Sequence, residues 1–235
     1  MIEGFTQMIY PLNGDKEPML NSVIIVLASI LLIGLLYYEN KENRKGLLPT
    51  KTLLSFMFIL AILVQPHQIR SYYYFLLVGM VLCFGGDIFL ALPQKRMFLY
   101  GLISFLLGLL FYIVGFFSVA RVGQWTWVGL LTVVVISTWI YVWLRPYLGP
   151  MNGPVLLYII IITVMVCGAW SVLGDYRYAL SGRIMAFLGA FSFYFSDVFV
   201  ARDRFLKKVF LNRLIGLPLY YSGQFLLAFS VGLLR

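Results

Sequence analysis

Apolar residues fill this chain in runs about as long as a bilayer is thick. From Leu20 onward, stretches of Leu, Ile, Val, Phe and Tyr are broken only by short clusters of Pro, Gly, Gln, Asn and charged residues. The runs lack the alternation of a half-buried strand, and roughly 18 or more apolar residues suffice for a helix to cross a ~30 Å hydrocarbon core. Eight spans are predicted: Leu20–Tyr38, Pro49–Val64, Tyr72–Leu92, Met97–Ala120, Trp125–Leu144, Pro154–Leu173, Ile184–Ala201 and Leu214–Leu234. Breakers separate them, including Gln65-Pro66, Pro93-Gln94, Arg145-Pro146, Gly149-Pro150 and Ser181-Gly182. Leu20–Tyr38 is longer than the apolar region of a signal peptide and lacks a small-residue cleavage site, so it reads as the first span. The expected fold is an all-α polytopic membrane protein, an eight-transmembrane-helix bundle forming one integral membrane domain over residues 1–235, with 1–19 as a short N-terminal tail.

Composition agrees. The chain is 62% hydrophobic and 11% charged, where soluble domains carry ~25% charge. The net charge of +9 does not point to nucleic acid, because the basic residues sit in short loops between apolar runs. Of the 18 Lys and Arg, twelve (Lys41, Arg44, Lys45, Lys51, Lys95, Arg96, Arg145, Arg202, Arg204, Lys207, Lys208, Arg213) fall on one side and six on the other. The richer side is expected to face the cytoplasm, with both termini outside. Tyr37, Tyr38, Tyr72, Tyr73, Tyr74, Trp125, Trp127 and Tyr147 gather near span ends, as interfacial anchors do. Cys83 and Cys167 lie inside apolar runs without a CxxC partner, which argues against a disulfide framework. The single His67 has no Cys or second His nearby, so no zinc or other metal site and no cofactor are expected.

Acids are where the chemistry concentrates. The glutamates all lie within the first 42 residues, and Asp15, Asp175 and Asp203 fall in tail or loop. Asp87 and Asp197 alone are embedded in apolar helices, at a cost of about 3 kcal/mol even on lenient insertion scales, which makes them functional candidates. Their contexts match: GMVLCFGGDIFLA (79–91) and GAFSFYFSDVFVA (189–201) both read Gly, seven residues, Asp, Ile or Val, Phe, Leu or Val, Ala. This pattern suggests two pseudo-symmetric four-helix halves, related as parallel repeats are. Each Asp lies about five residues from its cytoplasmic loop, roughly 7–8 Å beneath the interface. Gly85, Gly86 and Ser196 beside them permit close helix approach. The plainer reading is that each Asp bonds a neighbouring helix or pairs with Lys51, itself either a snorkelling residue or a headgroup ligand.

The chain resembles the lysoplasmalogenase family, eight-span membrane proteins with bacterial YhhN-type members and animal relatives. The matching residues are Pro49-Thr50-Lys51; Gly86-Asp87-x-x-Leu90 followed by Leu92-Pro93; Gly101; Ser104-Phe105-x-x-Gly108-x-x-x-Tyr112; Gly153-Pro154-x-x-x-Tyr158; Gly189-Ala190 with Ser196-Asp197; and Tyr221-x-x-Gln224. Leu109 stands where many relatives carry a His. The resemblance implies hydrolysis of the vinyl ether bond of lysoplasmalogens to a fatty aldehyde and glycerophosphoethanolamine or glycerophosphocholine, with a lysophospholipid and the bilayer as partners. It implies an inner-membrane location in a bacterium or the endoplasmic reticulum in a eukaryote.

The residue types suit that chemistry. Protonating the β-carbon of a vinyl ether creates an oxocarbenium ion that water captures, so the site needs one carboxylic acid and one carboxylate. Burial disfavours the charged form of a carboxyl, and two close carboxyls do not readily ionise together. Asp87 and Asp197 are the expected catalytic pair, with roles unassigned, in a site opening toward the cytoplasmic side. Lys51, Lys95, Arg96 and Arg202 are candidates for the lipid phosphate, against ordinary flanking charge. Tyr112, Tyr158 and Tyr221 are candidates to bond the carboxyls or a substrate oxygen, with core or interfacial roles as the alternative. Ser196 is a further substrate-site candidate. Gln224, an amide in an apolar helix, needs a partner and is a candidate to position water. Two rival functions use the same aspartates: a small proton-coupled transporter and a non-enzymatic lipid-binding protein.

Overall fold

The computed structural model describes residues 16–235; the side chains of Lys16, Glu17, Pro18 and Lys95 lie outside the described set. The expectations for Asp15, the outer part of the tail and the Lys95 ammonium therefore fall outside it. Among the described residues the chain is all-helical, without strands: α1 (Lys16–Asn40), α2 (Arg44–Leu63), α3 (Arg70–Ala91), α4 (Lys95–Val119), α5 (Gln124–Leu148), α6 (Asn152–Leu173), α7 (Leu180–Ala201) and α8 (Phe210–Leu233). A 3₁₀ turn, Gly149–Met151, follows α5, and a π-helical turn, Arg202–Leu206, follows α7.

The helices are those of an integral membrane protein, but the count of spans is corrected. Seven helical stretches, not eight, are long and apolar enough to cross a membrane. The difference lies at Gln124–Leu173, which stays helical for 50 residues. Arg145-Pro146 lies within α5, and Gly149-Pro150 opens a 3₁₀ turn that joins α5 to α6 without a non-helical loop. Run straight, it would measure about 75 Å at ~1.5 Å per residue, yet α5 and α6 pack against one another. Gly149, with φ of +50°, supplies the left-handed residue that permits the change of direction.

Local chemistry explains the helix ends. Asn43 caps α2 by accepting from the amides of Lys45 at 3.1 Å and Gly46 at 3.4 Å, satisfying donors the first turn leaves free. Arg183, buried near the start of α7, donates from its Nη1 to the Leu173 carbonyl at the end of α6 at 2.8 Å.

The closest packing joins α3 to α4 and α7 to α8, and the backbones there approach through glycines. A Cβ on Gly79 would stand 3.0 Å from the Gly108 carbonyl, and one on Gly108 would stand 2.9 Å from the Gly79 carbonyl. Gly189 and Gly223 face each other in the same way, at 2.9 and 2.8 Å. One helical repeat closer to the acids, Gly101 approaches the Gly86 carbonyl at 3.3 Å, and Gly216 approaches the Ser196 carbonyl at 3.6 Å. Contacts between the first and last four helices run chiefly from α4 to α6 and from α8 to α2, which is the same pair of positions with the halves exchanged. Only a small part of α1 is buried, whereas much of α8 and of the α5–α6 stretch is.

Candidate active site

Asp87 lies near the end of α3 and is 2% exposed. Lys51, about two turns into α2 and also buried, places its Nζ 3.1 Å from Asp87 Oδ1. Ser55 follows Lys51 by one helical turn, on the same face, and donates to Asp87 Oδ2 at 2.7 Å. The hydroxyl of Tyr220 on α8 donates to the same oxygen at 2.7 Å. Both oxygens are therefore occupied, and a buried cation balances the charge. The arrangement is a buried ion pair completed by two hydroxyl donors.

Asp197 occupies the corresponding place near the end of α7 and differs. Among the described residues its one hydrogen bond comes from the Tyr158 hydroxyl on α6, which donates to Oδ2 at 2.6 Å. No described cation forms an ion pair with it. It is partly buried and lines a cavity between the helices.

That cavity, about 1120 Å³ counting its open mouth, is lined by both acids as well as Lys51, Tyr158 and Tyr220. Away from the acids the wall is apolar, built from Leu102 and Phe105 of α4, Ile140 and Leu144 of α5, and Ile159 and Ile162 of α6. A polar end and an apolar flank suit an amphipathic ligand.

The other expected site residues divide. Lys51, Tyr158 and the two acids stand in the cavity wall, and Lys51 is committed to Asp87 rather than free for a phosphate. Tyr112 donates to Gln224 Oε1 at 2.7 Å, and Gln224 Nε2 donates to Tyr220 OH at 3.4 Å. This pair supports Tyr220 from behind instead of facing the cavity. Tyr221 meets Ser55 at 3.1 Å, likewise one layer out. Ser196 does not join the site: its hydroxyl donates to the Phe193 carbonyl of its own helix at 2.7 Å. Arg202 sits in the π turn, where its carbonyl accepts from the Lys207 amide, and is absent from the cavity wall; Arg213 stands there instead. Arg96 is exposed, Leu109 is fully buried in the core, and His67 stacks on Tyr73 with centroids 4.3 Å apart.

Residues overlooked from sequence include Ser55, Tyr220, Asn212 and Arg213. Tyr220 had a signal, since it precedes Gln224 by four residues and so shares its face. Asn212 and Arg213 had none beyond their place beside a loop. Among the described residues no group of three His, Cys, Asp or Glu is placed to hold a metal ion.

No curated protein and no solved structure matches the chain. The model of the YhhN family, the family of lysoplasmalogenase-like proteins, matches residues 48–231. That interval holds Lys51, Asp87, Tyr158, Asp197 and Tyr220, and the chain belongs to the YhhN family.

Proposed function

We propose that this protein hydrolyses the vinyl ether bond of lysoplasmalogens, using Asp197 as the proton donor and Asp87 as the fixed carboxylate. The observation that carries the reading is the contrast between two acids on one cavity. Asp87 is saturated by Lys51, Ser55 and Tyr220, whereas Asp197 has a single phenol donor and no paired cation. A carboxyl set in a largely apolar wall without a countercharge is the one that keeps a proton. With Tyr158 on Oδ2, that proton sits on Oδ1.

In the reaction, Asp197 transfers its proton to the β-carbon of the alkenyl chain, and an oxygen lone pair of the ether forms the oxocarbenium ion. The new Asp197 carboxylate and the Asp87 carboxylate stabilise that cation, much as paired carboxyls do in glycoside cleavage. Water adds to the α-carbon and returns a proton to Asp197. Collapse of the hemiacetal breaks the bond to the glycerol oxygen, releasing a fatty aldehyde and a glycerophospho-alcohol. The apolar flank formed by Leu102, Ile140, Leu144 and Ile159 takes the chain. The fold is read as two pseudo-symmetric four-helix halves, with the site opening to the cytoplasmic leaflet of a bacterial inner membrane or of the endoplasmic reticulum.

A proton relay built on the same acids calls for discontinuous helices at the bilayer midplane, whereas α3 and α7 run unbroken through both. The test is aldehyde release from a 1-alkenyl lysophospholipid by purified full-length protein, with the 1-acyl ester as control. Aldehyde from the first and no fatty acid from the second is expected. Folded protein that yields no aldehyde overturns the reading.

A further inference from the structure

One residue of the cavity wall carries an acceptor that has no donor. Asn212, in the first turn of α8, lines the cavity and is 2% exposed. Its Nδ2 donates to the Lys207 carbonyl at 2.8 Å and to Asp203 Oδ1 at 3.3 Å. Both partners only accept, so the amide's orientation is fixed by its surroundings. Oδ1 is buried and left without a partner. Such a group destabilises a protein unless something supplies the missing donor.

Arg213 stands beside it in the same wall. Its guanidinium meets Asp203 Oδ2 at 2.9 Å and lies 3.9 Å from Glu39 Oε1. A guanidinium has five N–H donors, so most remain for an anion. The surroundings are not those of a bare phosphate site, however, because two carboxylates flank one guanidinium. That balance favours a ligand group carrying a positive charge close to its phosphate.

We propose that Asn212 and Arg213 form a headgroup subsite selective for phosphoethanolamine, with the phosphate on Arg213 and an ammonium N–H on Asn212 Oδ1. Choline has no N–H, so it leaves the buried carbonyl unpaired while adding three methyl groups beside it. The selectivity in turnover rests on the lysoplasmalogenase reading above. The selectivity in binding does not.

The experiment is a headgroup series on the intact protein: ethanolamine, N-methyl, N,N-dimethyl and choline forms of one lysolipid. It is run twice, as turnover of the alkenyl lipids and as equilibrium binding of the non-hydrolysable 1-alkyl analogues. In wild type, binding is expected to hold while any N–H remains and to fall by about tenfold at choline, the size of one charge-assisted hydrogen bond. Asn212→Leu is expected to flatten the series, and Arg213→Gln to weaken all four members together. Equal binding of ethanolamine and choline forms by wild type overturns the proposal, whether or not Asn212→Leu folds. So does discrimination that survives in Asn212→Leu. Selective binding without aldehyde release leaves the headgroup subsite standing and sinks the hydrolase reading alone.

Discussion

The first four helices and the last four place an aspartate at the same position, packed through the same kind of glycine contact, yet treat it oppositely. In the first half the preceding helix contributes Lys51 to Asp87; in the second, the preceding helix contributes Tyr158 to Asp197. The fourth helix of each half repeats the contrast. Counting from the facing glycines, Phe105 of α4 corresponds to Tyr220 of α8, and only the latter has a hydroxyl to offer an acid. Their rings meet edge to face at 5.9 Å in the middle of the molecule. The two regions thus yield one ion-paired acid and one acid without a described cation on a shared cavity. The lesson is that helices packed through like glycine contacts can bring two carboxyls to one cavity while their neighbours give each a different set of partners.

Replacing the acids breaks that comparison most directly. Asp197→Asn and Asp87→Asn are each expected to lower aldehyde release by about a thousandfold or more, within the range for loss of general acid–base groups. Their effects on stability should differ. Asn at 197 still accepts from Tyr158 and leaves nothing charged behind. Asn at 87 strands the Lys51 ammonium in an apolar wall. Thermal unfolding in detergent should therefore find Asp197→Asn near wild type and Asp87→Asn clearly destabilised; the reverse order would exchange the roles.

The same asymmetry can be approached from the cation. Lys51→Met leaves Asp87 with hydroxyl donors only, and removing one partner of a buried ion pair costs about 3–5 kcal/mol. Combining it with Asp87→Asn should restore much of the loss, because both charges then leave together. Additive losses in the double variant, measured by chemical or thermal unfolding, would mean that Lys51 and Asp87 are not coupled.

How much of this was legible beforehand follows from what kind of physics each residue obeys. Asp87 and Asp197 stood out because an acid in an apolar helix is costly anywhere in that helix, whatever packs against it. The apolar runs gave the helices for the same reason, but not the joining of α5 to α6, since Pro and Gly signal a change of direction without saying whether helical hydrogen bonding stops. Partner choice was harder. Naming Tyr221 instead of Tyr220 missed the acid's donor by one residue, which on a helix is ~100° of rotation. Ser196 was close enough in sequence to Asp197 to look functional, yet its hydroxyl found a carbonyl one turn back, a local bond open to any helical serine. Arg202 and Arg213 flank the same loop, and only the path of the π turn decides which of them reaches the cavity.

The glycine contacts offer a test of the likeness between halves rather than the difference. Ala at 108 would bring a methyl to 2.9 Å from the Gly79 carbonyl, and Ala at 223 one to 2.8 Å from the Gly189 carbonyl. Backbone atoms cannot step aside as a side-chain tip can, so each substitution should destabilise by about 1–3 kcal/mol through overpacking. Because the geometry is repeated, the two losses should agree within about 1 kcal/mol. A silent substitution in one half and a severe one in the other would show that only one interface is tightly held.

The smallest expected effect is the most discriminating. Tyr158→Phe removes the one hydrogen bond that a described residue gives Asp197, whereas Tyr220→Phe removes one of three contacts to Asp87. On counting alone Tyr158 should matter more. A hydrogen bond to a neutral carboxyl contributes about 1 kcal/mol, but one to a charged carboxylate contributes about 1.5–3 kcal/mol. If Asp197 is neutral and Asp87 ionised, the stability loss should be larger for Tyr220→Phe despite the crowding around Asp87. Turnover should run the other way: Tyr158→Phe frees Oδ2, lets the proton occupy either oxygen, and slows the proton transfer by about fivefold. Greater losses of both stability and rate in Tyr158→Phe would place the negative charge on Asp197 and reverse the assignment of acid and carboxylate.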